Sequence, residues 1–485
     1  GWRMVESWHL VRRVTKEPIS IYEENLRRAV FSTLMDDGLS YRRLEDWCDN
    51  EAFMWDQGRA LITLCTLAEG DDCKDWAIDT AKKMLNGLDK IALRNIKGIW
   101  FPSENWDGKS WGDKTIGHPP TGLQLEGAIR YYHLTKDEYA IDFAQRVADG
   151  LFELKPPILN EDCSLGKCGG GPNLPYTHIH SRLFVMAGIY RLGKVIGNKE
   201  YMQMADKAFD SVLKHSTSYG WVPESMEILE KGTDAYDEVC CMMDVLKFAV
   251  MKAEEDANWY DLIERYIANS IAAHQLDSYD KYQHCIKLPE ITPKSTRQID
   301  YENILDRSVG SFTGALHAHE FWRNSFDESF NMNCPCIVPS GCCTPAGITS
   351  YCIAWENTLI EKDNKAIVNM HFQREGEFVL IEKASQECGD IAITIKKPIS
   401  ELKIKLHPWA NVDNIKLSVD SNAITPKIQN GYILIQNPKD NIELNYDSVE
   451  RVTDEPWSGG ELKAHWQGNR IKKIKCAKEI RIPLY

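Results

Sequence analysis

The sequence has no run of about 18 apolar residues, the length that a membrane-spanning helix needs, so it predicts no transmembrane segment. It also lacks an excess of basic residues, because 57 Lys and Arg are set against 71 Asp and Glu, giving a net charge of −14. This charge argues against a nucleic-acid partner and mildly against polyanionic sugars. The first residues are Gly1 and Trp2, without an initiator methionine or a signal peptide. The localisation is therefore open between the cytoplasm and export with the signal removed.

The cysteines lack two Cys-x-x-Cys pairs, which are the strong sequence signature of a zinc site. There are 15 cysteines, an odd number that cannot all pair within the chain, so at least one thiol is free. The close spacings at 240/241, 334/336 and 342/343 do not suit a disulfide framework, and we expect most of these thiols to be reduced. Cys163 and Cys168, beside three glycines, stay open between a loop disulfide, two idle thiols and a second metal half-site.

Two adjacent cysteines stand in a segment that is otherwise built of turn residues. Cys342 and Cys343 lie within 339–347, between prolines and glycines, which predicts a rigid turn just before a helix. Far upstream, Glu238 and Cys240 open another helical run. One carboxylate and three thiolates form a ligand set that suits tetrahedral zinc. The alternative is that these cysteines are buried and act as small hydrophobic residues.

Helix geometry restricts how Glu238 and Cys240 can share one metal ion. Residues two apart on a helix do not lie on the same face, so Glu238 must stand at or before the first turn. Asp237 is the predicted N-cap of that helix, which satisfies this condition. Cys241 should then point away from the ion and be buried in the core.

The pattern Glu-x-Cys at one helix start and Cys-Cys-x-Pro at a later one resembles the β-L-arabinofuranosidase-type glycoside hydrolases of family 127 and their relatives. The stretches IKLHPWA at 404–410 and WQGN at 466–469 look like strands of that family's β domain. The resemblance covers about the last half of the chain. The family usually continues Cys-Cys-Pro-Pro-Asn, whereas this chain reads Cys-Cys-Thr-Pro-Ala, so we identify it as a divergent relative.

The resemblance implies a zinc ion held by Glu238, Cys240, Cys342 and Cys343, with Cys342 as the nucleophile. It also implies that Glu224, in the loop before the Glu-x-Cys helix, is the catalytic acid and base. The implied reaction is a retaining hydrolysis, exo-acting on a β-L-arabinofuranoside or a similar sugar.

The environment of Glu224 suits a proton donor, because Trp221 and Pro223 next to it would shield the carboxyl group from water and raise its pKa. Glu227 and Glu230 are the fallback acids if Glu224 is only a solvated loop residue.

The predicted substrate contacts lie in loops that open helices. Gln57 opens one helix, His118 precedes another, and Trp221 offers a flat face for a sugar ring, with loop anchoring equally open. His178 and His180 stand at the start of a further helix. The family carries a substrate-facing histidine at a similar place, and the sequence does not decide between these two.

Helical periodicity runs from about residue 20 to 360 in consecutive hairpins. Helices are predicted at 51–68, 72–88, 121–135, 139–153, 181–196, 200–214, 238–254, 258–273, 309–322 and 346–358. Strands are predicted at 366–372, 378–383, 391–396, 402–406, 415–419, 432–435 and 442–446. The weak repeat of helix pairs indicates an (α/α)6 toroid. We therefore predict a toroid catalytic domain over 1–365, followed by a β-sandwich domain of structural role over 366–485.

Two other classes of function stay open. One is a non-catalytic, zinc-stapled sugar-binding or scaffold protein, and the other is a zinc-free toroid enzyme that acts on unsaturated glycuronides through acids such as Asp56 and Asp113. We expect a carbohydrate substrate and neither a nucleic-acid nor a membrane partner. The sugar, its linkage and the oligomeric state are left open, with a homodimer among the options.

Overall fold

A computed structural model of the chain describes residues 1–42, 50–70, 73–102, 105–112, 122–155, 157–166, 177–278, 308–320, 322–324, 333–335, 341–480 and 483–485. These residues form two compact units. The N-terminal unit comprises Gly1–Lys214 and Glu224–Ile228, and the C-terminal unit comprises His215–Pro223 and Leu229–Tyr485. The domain boundary between residues 365 and 366 stays a prediction. Within the described ranges, no helix has both the length and the apolar character needed to cross a membrane.

The N-terminal unit is built of helices that pack in consecutive pairs. They are α1 (Trp2–Thr15), α2 (Ile21–Phe31), α3 (Met54–Glu69), α4 (Lys74–Ile91), α5 (Gly122–Thr135), α6 (Glu138–Phe152), α7 (Ile179–Ile196) and α8 (Lys199–Leu213), with a short hairpin of β1 (Leu93–Arg94) and β2 (Ile99–Trp100). Helix α3 packs on α4, α5 on α6, and α7 on α8, while α3, α5 and α7 also pack side by side. Six of these helices agree with the predicted ones, and α1 and α2 are additional.

Burial explains why one member of each pair lies inside. Helix α7 buries 14 of its 18 residues, so it is enclosed on nearly every face. Helix α8 buries only a stripe of Tyr201, Ala205, Ala208, Phe209 and Val212, whose spacing follows one face of a helix. Such a difference is what an inner and an outer layer of helices require.

Glycines let the inner helices approach closely. A Cβ atom at Gly127 of α5 would lie 2.6 Å from Leu61 Cγ in α3, and one at Gly188 of α7 would lie 2.5 Å from Leu125 Cδ2 in α5. Both distances are shorter than real Cβ atoms allow, so these two positions need glycine for packing.

The C-terminal unit begins its helical part with α9 (Val239–Ala253) and α10 (Trp259–Tyr266). Helix α10 continues through a π-helical turn, Ile267–Ile271, into the short α11 (Ala272–His274), and α12 (Cys343–Thr358) follows later in the chain. Helix α9 packs against both α10 and α12. The starts of α9 and α12, where the predicted metal ligands lie, therefore belong to neighbouring helices.

The helix predicted over 309–322 is wrong in its described part, which forms turns and isolated bridges. Its amide groups bind acceptors elsewhere in the chain instead of carbonyl groups four residues earlier. The Thr313 amide donates to the His274 carbonyl at 3.0 Å, and the Leu316 amide donates to Asp237 Oδ1 at 2.7 Å. Apolar spacing alone could not reveal these long-range acceptors.

The all-β part contains two larger sheets and one smaller sheet. The strands are β3 (Trp322–Asn324), β4 (Asn333–Pro335), β5 (Leu359–Lys362), β6 (Lys365–Val368), β7 (Arg374–Glu375), β8 (Val379–Ala384), β9 (Ile391–Ile395), β10 (Glu401–Lys405), β11 (Lys416–Val419), β12 (Asn422–Ile424), β13 (Ile428–Gln429), β14 (Tyr432–Gln436), β15 (Asn441–Asn445), β16 (Glu450–Asp454), β17 (Leu462–Gln467) and β18 (Arg470–Cys476). Their orders are β13-β14-β10-β6-β5, β12-β11-β15-β9-β8-β7 and β16-β17-β18, while β3 pairs with β4.

The two larger sheets share one hydrophobic core, to which β9 contributes Ile391 and Ile393 and β10 contributes Leu402 and Ile404. The alternation of buried residues along β10, β14 and β15 is typical of a sheet with one face in the core. The seven predicted strands correspond to β6, β8, β9, β10, β11, β14 and β15. Strand β5 was not predicted, and it begins at Leu359 directly after α12.

Candidate active site and metal centre

The start of α9 places a carboxylate and a thiol close together. Glu238 is the N-cap residue, with an extended backbone at φ −144° and ψ 129°, and its side chain makes no capping hydrogen bond. It therefore stands before the first turn, as convergence with Cys240 requires. Asp237 is not the N-cap, which corrects that prediction. Its Oδ1 atom accepts from the Leu316 amide and lies 3.1 Å from His274 Nε2.

The start of α12 presents the adjacent cysteines. Cys342 is the N-cap and Cys343 is the first helical residue, so the helix begins three residues before the predicted position. Pro345 fits in the first turn, where its missing amide proton costs no helical hydrogen bond. The exposed amide groups and the dipole of a helix N-terminus favour the thiolate form of a cysteine placed there.

The four predicted ligands converge within the C-terminal unit. One ligand atom from each of Glu238, Cys240, Cys342 and Cys343 lies within 4.8 Å of the other three. Cys343 Sγ lies 3.7 Å from Cys240 Sγ and 3.6 Å from Cys342 Sγ. Glu238 Oε1 lies 3.8 Å from Cys342 Sγ and 3.9 Å from Cys343 Sγ. The pair at the start of α9 and the pair at the start of α12 are 102 to 105 positions apart in sequence, and together they form one compact cluster.

These separations fit a tetrahedral zinc ion. Two thiolates bound at about 2.3 Å and at the tetrahedral angle lie about 3.8 Å apart, close to the 3.6 and 3.7 Å observed. The sulfur-to-oxygen distances are a few tenths of an ångström longer than the corresponding value of about 3.5 Å. The residues present therefore fit zinc in type, number and spacing.

The surroundings of Cys343 favour its neutral thiol form. The hydrogen bond with Cys240 lowers the pKa of Cys343, but the hydrogen bond with Cys342 and burial raise it, and the resulting pKa is well above that of an ordinary thiol. A divalent metal counteracts burial, because it stabilises the thiolate that coordinates it.

The three sulfur ligands differ in accessibility. Cys342 is exposed, whereas Cys240 and Cys343 are buried. Cys342 is therefore the one of the three that a substrate can reach from solvent. Cys241 is buried as predicted and is not one of the four clustered residues; its thiol lies 3.5 Å from Oε2 of Glu238, whereas Oε1 is the carboxylate oxygen near Cys342 and Cys343. The structure shows no disulfide among the ten cysteines whose side chains it describes, including Cys163, and Cys168 lies outside the described residues.

In the N-terminal unit, Glu224 lies beside the start of α7. The Ile179 amide donates to the Glu224 carbonyl at 3.0 Å, and the Met226 amide donates to the Thr177 carbonyl at 3.2 Å. These two bonds form a short antiparallel pairing that fixes the half-buried Glu224 next to the N-cap residue of α7, His178.

The two alternate histidines are not equivalent. His180 is 1% exposed, its Nε2 atom lies 3.0 Å from Arg59 Nη2, and its ring packs against Trp55 and Phe184. His178 is only half-buried. His178 is thus the more accessible of the pair, a choice that the sequence alone left open. Arg59 was missed as a site candidate, although it closes the same Trp-Asp-Gln-Gly-Arg segment from which Gln57 was selected.

Two predicted substrate contacts have structural roles instead. Gln57 is fully buried, and its carboxamide accepts from the Ser40 amide at 2.8 Å and donates to the Ser40 carbonyl, which ties a loop to α3. Trp221 is 1% exposed and donates from Nε1 to the Leu316 carbonyl at 3.2 Å within the core beneath the third sheet. Neither side chain has a surface left for a sugar. His118 lies outside the described residues.

The other acidic candidates are less suited to catalysis. Glu227 accepts a hydrogen bond from the Thr177 amide at 2.8 Å, and Glu230 is exposed. Asp56 pairs with Arg42 at 2.7 Å, while Asp113 lies outside the described residues.

The fold class predicted from the sequence, an (α/α)6 toroid followed by a β-sandwich, is confirmed, because solved structures share this architecture over nearly the whole chain. No protein-family model matches the sequence, and no curated protein resembles it closely enough in sequence to count as a match.

Three similar solved structures that cover 97% of the chain are glycoside hydrolases. A GH127 β-arabinofuranosidase is 14% identical, with a TM-score of 0.65 over 97% of this chain and 74% of that chain. The GH127 β-L-arabinofuranosidase Ara127N from Geobacillus stearothermophilus T6 is 14% identical, with a TM-score of 0.62 over 97% and 75% of the two chains. A structure described only as a glycoside hydrolase is 12% identical, with a TM-score of 0.66 over 97% and 76%. The chain thus has the fold of GH127 enzymes and has diverged far from them in sequence.

Proposed function

We propose that this chain is a retaining glycoside hydrolase, exo-acting on a β-L-arabinofuranoside or a similar sugar. The observation that carries the proposal is the cluster of Glu238, Cys240, Cys342 and Cys343, whose sulfur separations match a tetrahedral zinc site. The fold shared with GH127 β-arabinofuranosidases supports it independently.

The same cluster supports the division of roles among the cysteines. Zinc bound to the four residues would keep the thiols deprotonated at neutral pH. Cys342 is the exposed member and caps α12, so it is the thiolate that can reach a sugar. Cys240 and Cys343 are buried and act as ligands only.

The reaction proceeds in two displacements. Cys342 Sγ attacks the anomeric carbon as the glycosidic C–O bond breaks, and Glu224 gives its proton to the leaving oxygen. Glu224 then removes a proton from water, whose oxygen attacks the same carbon while the C–S bond breaks and Cys342 leaves as thiolate. Two inversions retain the anomeric configuration. The family pattern supports joining Glu224 and Cys342 in one reaction, and the position of His178 beside Glu224 supports a sugar contact there.

The test combines a metal analysis with an activity screen. Purified protein is expected to contain zinc and to hydrolyse a nitrophenyl furanoside, with retained configuration seen by proton NMR. Replacing Cys342 with alanine should abolish turnover, whereas the same change at Cys388, a half-buried free thiol of the same unit, should not. Zinc without hydrolysis of any furanoside would favour a non-catalytic staple, and activity on an unsaturated uronide without zinc would favour the glycuronide enzyme.

A further inference from the structure

A second cluster of metal-ligating side chains lies in the C-terminal unit, apart in sequence from the thiol-rich one. His317, His319 and Glu320 offer three ligand atoms within 4.8 Å of one another. Their exposed fractions are 0%, 1% and 0%. None of the three belongs to the first cluster, and the sequence analysis did not single them out.

The backbone explains why these residues meet. The segment is not helical, and its described end pairs with the C-terminus of the chain through a bridge between Glu320 and Pro483. The Leu484 amide donates to the His319 carbonyl at 3.3 Å. The rings of His317 and His319 have centroids 6.0 Å apart, and both lie beside Glu320.

The histidine rings are enclosed without hydrogen bonds. Among the described residues, neither ring nitrogen of His317 or His319 has a hydrogen-bonding partner. Trp457 packs its ring against His319 at a centroid distance of 5.1 Å, which closes the cluster with an apolar face. Buried polar atoms normally have partners, and His317 Nδ1 and His319 Nε2, the two nitrogens that lie near Glu320 Oε1, are the ones that a single metal ion could bind.

The spacing suits a small divalent ion. His317 Nδ1 lies 3.7 Å and His319 Nε2 lies 3.5 Å from Glu320 Oε1. Ligands at about 2.0–2.1 Å from zinc lie about 3.4 Å apart at the tetrahedral angle and slightly further apart at wider angles. The observed distances of 3.7 and 3.5 Å correspond to such wider angles, so only small side-chain shifts are needed for these atoms to bind one zinc ion.

Lys478 is the competing partner of Glu320. Its Nζ atom lies 3.6 Å from Glu320 Oε1 and 3.7 Å from Asp234 Oδ1, so both ion pairs are long. Lys478 leaves the ring nitrogens of His317 and His319 unbound. Its side chain is 21% exposed, which allows it to withdraw toward Asp234 and solvent.

We propose that His317, His319 and Glu320 form a second transition-metal site, which takes zinc. Two imidazoles and one carboxylate are ligands that suit zinc, and three protein ligands leave the fourth position to water. The site is separate from the proposed catalytic one in its residues and in its ligand chemistry, because it contains no sulfur.

Metal stoichiometry and cobalt spectroscopy test the site. Zinc-saturated protein is expected to hold about two equivalents of zinc, one per cluster. His319→Gln and Glu320→Gln should each lose one equivalent and keep the intense sulfur-to-cobalt charge-transfer band of the cobalt protein, while Cys240→Ser should weaken that band. His465→Gln, a half-buried histidine of β17 outside both clusters, is the matched control. One equivalent in the unaltered protein, or a full count in both glutamine variants, would overturn the proposal.

A lysine variant separates metal binding from a simple ion pair. If the cluster binds zinc, Lys478→Met removes the competing cation, so zinc should bind this site several-fold more tightly in a titration with zinc chloride. If Glu320 serves only to pair with Lys478, the variant should be less stable and its zinc stoichiometry should stay at one equivalent, which would refute a second site.

Discussion

Lowering the pH from 7 to 5 should destabilise the C-terminal unit through His371. This side chain is 1% exposed, and its Nε2 atom lies 2.9 Å from the Lys405 carbonyl. Burial, together with the nearby charge of His407, lowers the pKa of His371 to about 4. Because the folded state disfavours the protonated ring, the contribution of His371 to stability is complete above the unfolded value of about 6.5. It is lost as the pH falls toward 4.

The size of the effect follows from these two pKa values. Between pH 7 and pH 5 the unfolded chain takes up a proton at His371 that the folded chain scarcely binds, which amounts to about 2 kcal/mol. Glu264 does not add to this slope. Burial raises its pKa, but the charge and hydrogen bond of His407 outweigh burial and hold it at about 2, so Glu264 stays ionised.

Urea unfolding at pH 7 and pH 5 measures the effect. The free energy of unfolding should fall with pH in the natural chain by about 2 kcal/mol more than in His371→Gln, because other titrating groups contribute equally to both. His465→Gln should behave like the natural chain. Equal pH dependence in the natural chain and in His371→Gln would refute the reasoning, since His371 would then not be held neutral by the fold.

Three further predictions concern the proposed active site. Glu238→Ala should lose zinc and, where free zinc exceeds the dissociation constant a hundredfold, the about 2.7 kcal/mol of unfolding free energy that zinc binding adds, so its melting temperature in zinc-containing buffer should fall; unchanged zinc content and melting temperature would exclude a shared site. Glu224→Gln should keep zinc but lower kcat/KM on alkyl glycosides by about 10²–10⁴, and less on nitrophenyl glycosides, whose leaving groups need less protonation. An equal loss on both substrates would show that Glu224 only binds the sugar. A haloacetamide glycosylamine should alkylate Cys342 first, because Cys342 is the exposed sulfur of the cluster; peptide mapping that finds Cys343 or Cys240 modified in preference would reverse the assignment.

The sequence predicted those helices and strands in which buried residues repeat with the period of the local backbone. The amphipathic stripe of α8 and the alternating strands β9 and β10 agree with the structure because their burial follows the local backbone repeat. The helix predicted over 309–322 failed because its backbone acceptors, such as Asp237 and the His274 carbonyl, lie far away in sequence. Hydrogen bonds between residues far apart in sequence produce no repeating pattern of apolar residues, so the sequence could not predict them.

At the candidate site, too, some residues could be predicted from the sequence and others could not. Glu238 and Cys343 were predicted to meet, and they do so because each stands at a helix start, a position that short motifs mark. Gln57 was predicted to contact a sugar but is fully buried, and Trp221, for which loop anchoring was equally open, lies in the core; polar and aromatic residues near loops look alike in sequence whether they hold the loop or face a ligand. The cluster around His319 was overlooked, since a His-x-His pair becomes a candidate site only when burial encloses it.

The neighbouring thiols at the start of α12 also govern how the protein has to be handled. Cys342 is open to solvent, and its sulfur lies 3.6 Å from that of Cys343 and near a third thiol at Cys240. Air oxidation of any two of these sulfurs to a disulfide would remove two of the proposed zinc ligands at once. Preparations stripped of metal should therefore age quickly unless a reductant is present. An inactive sample must be reduced and reloaded with zinc before its inactivity is ascribed to the sequence.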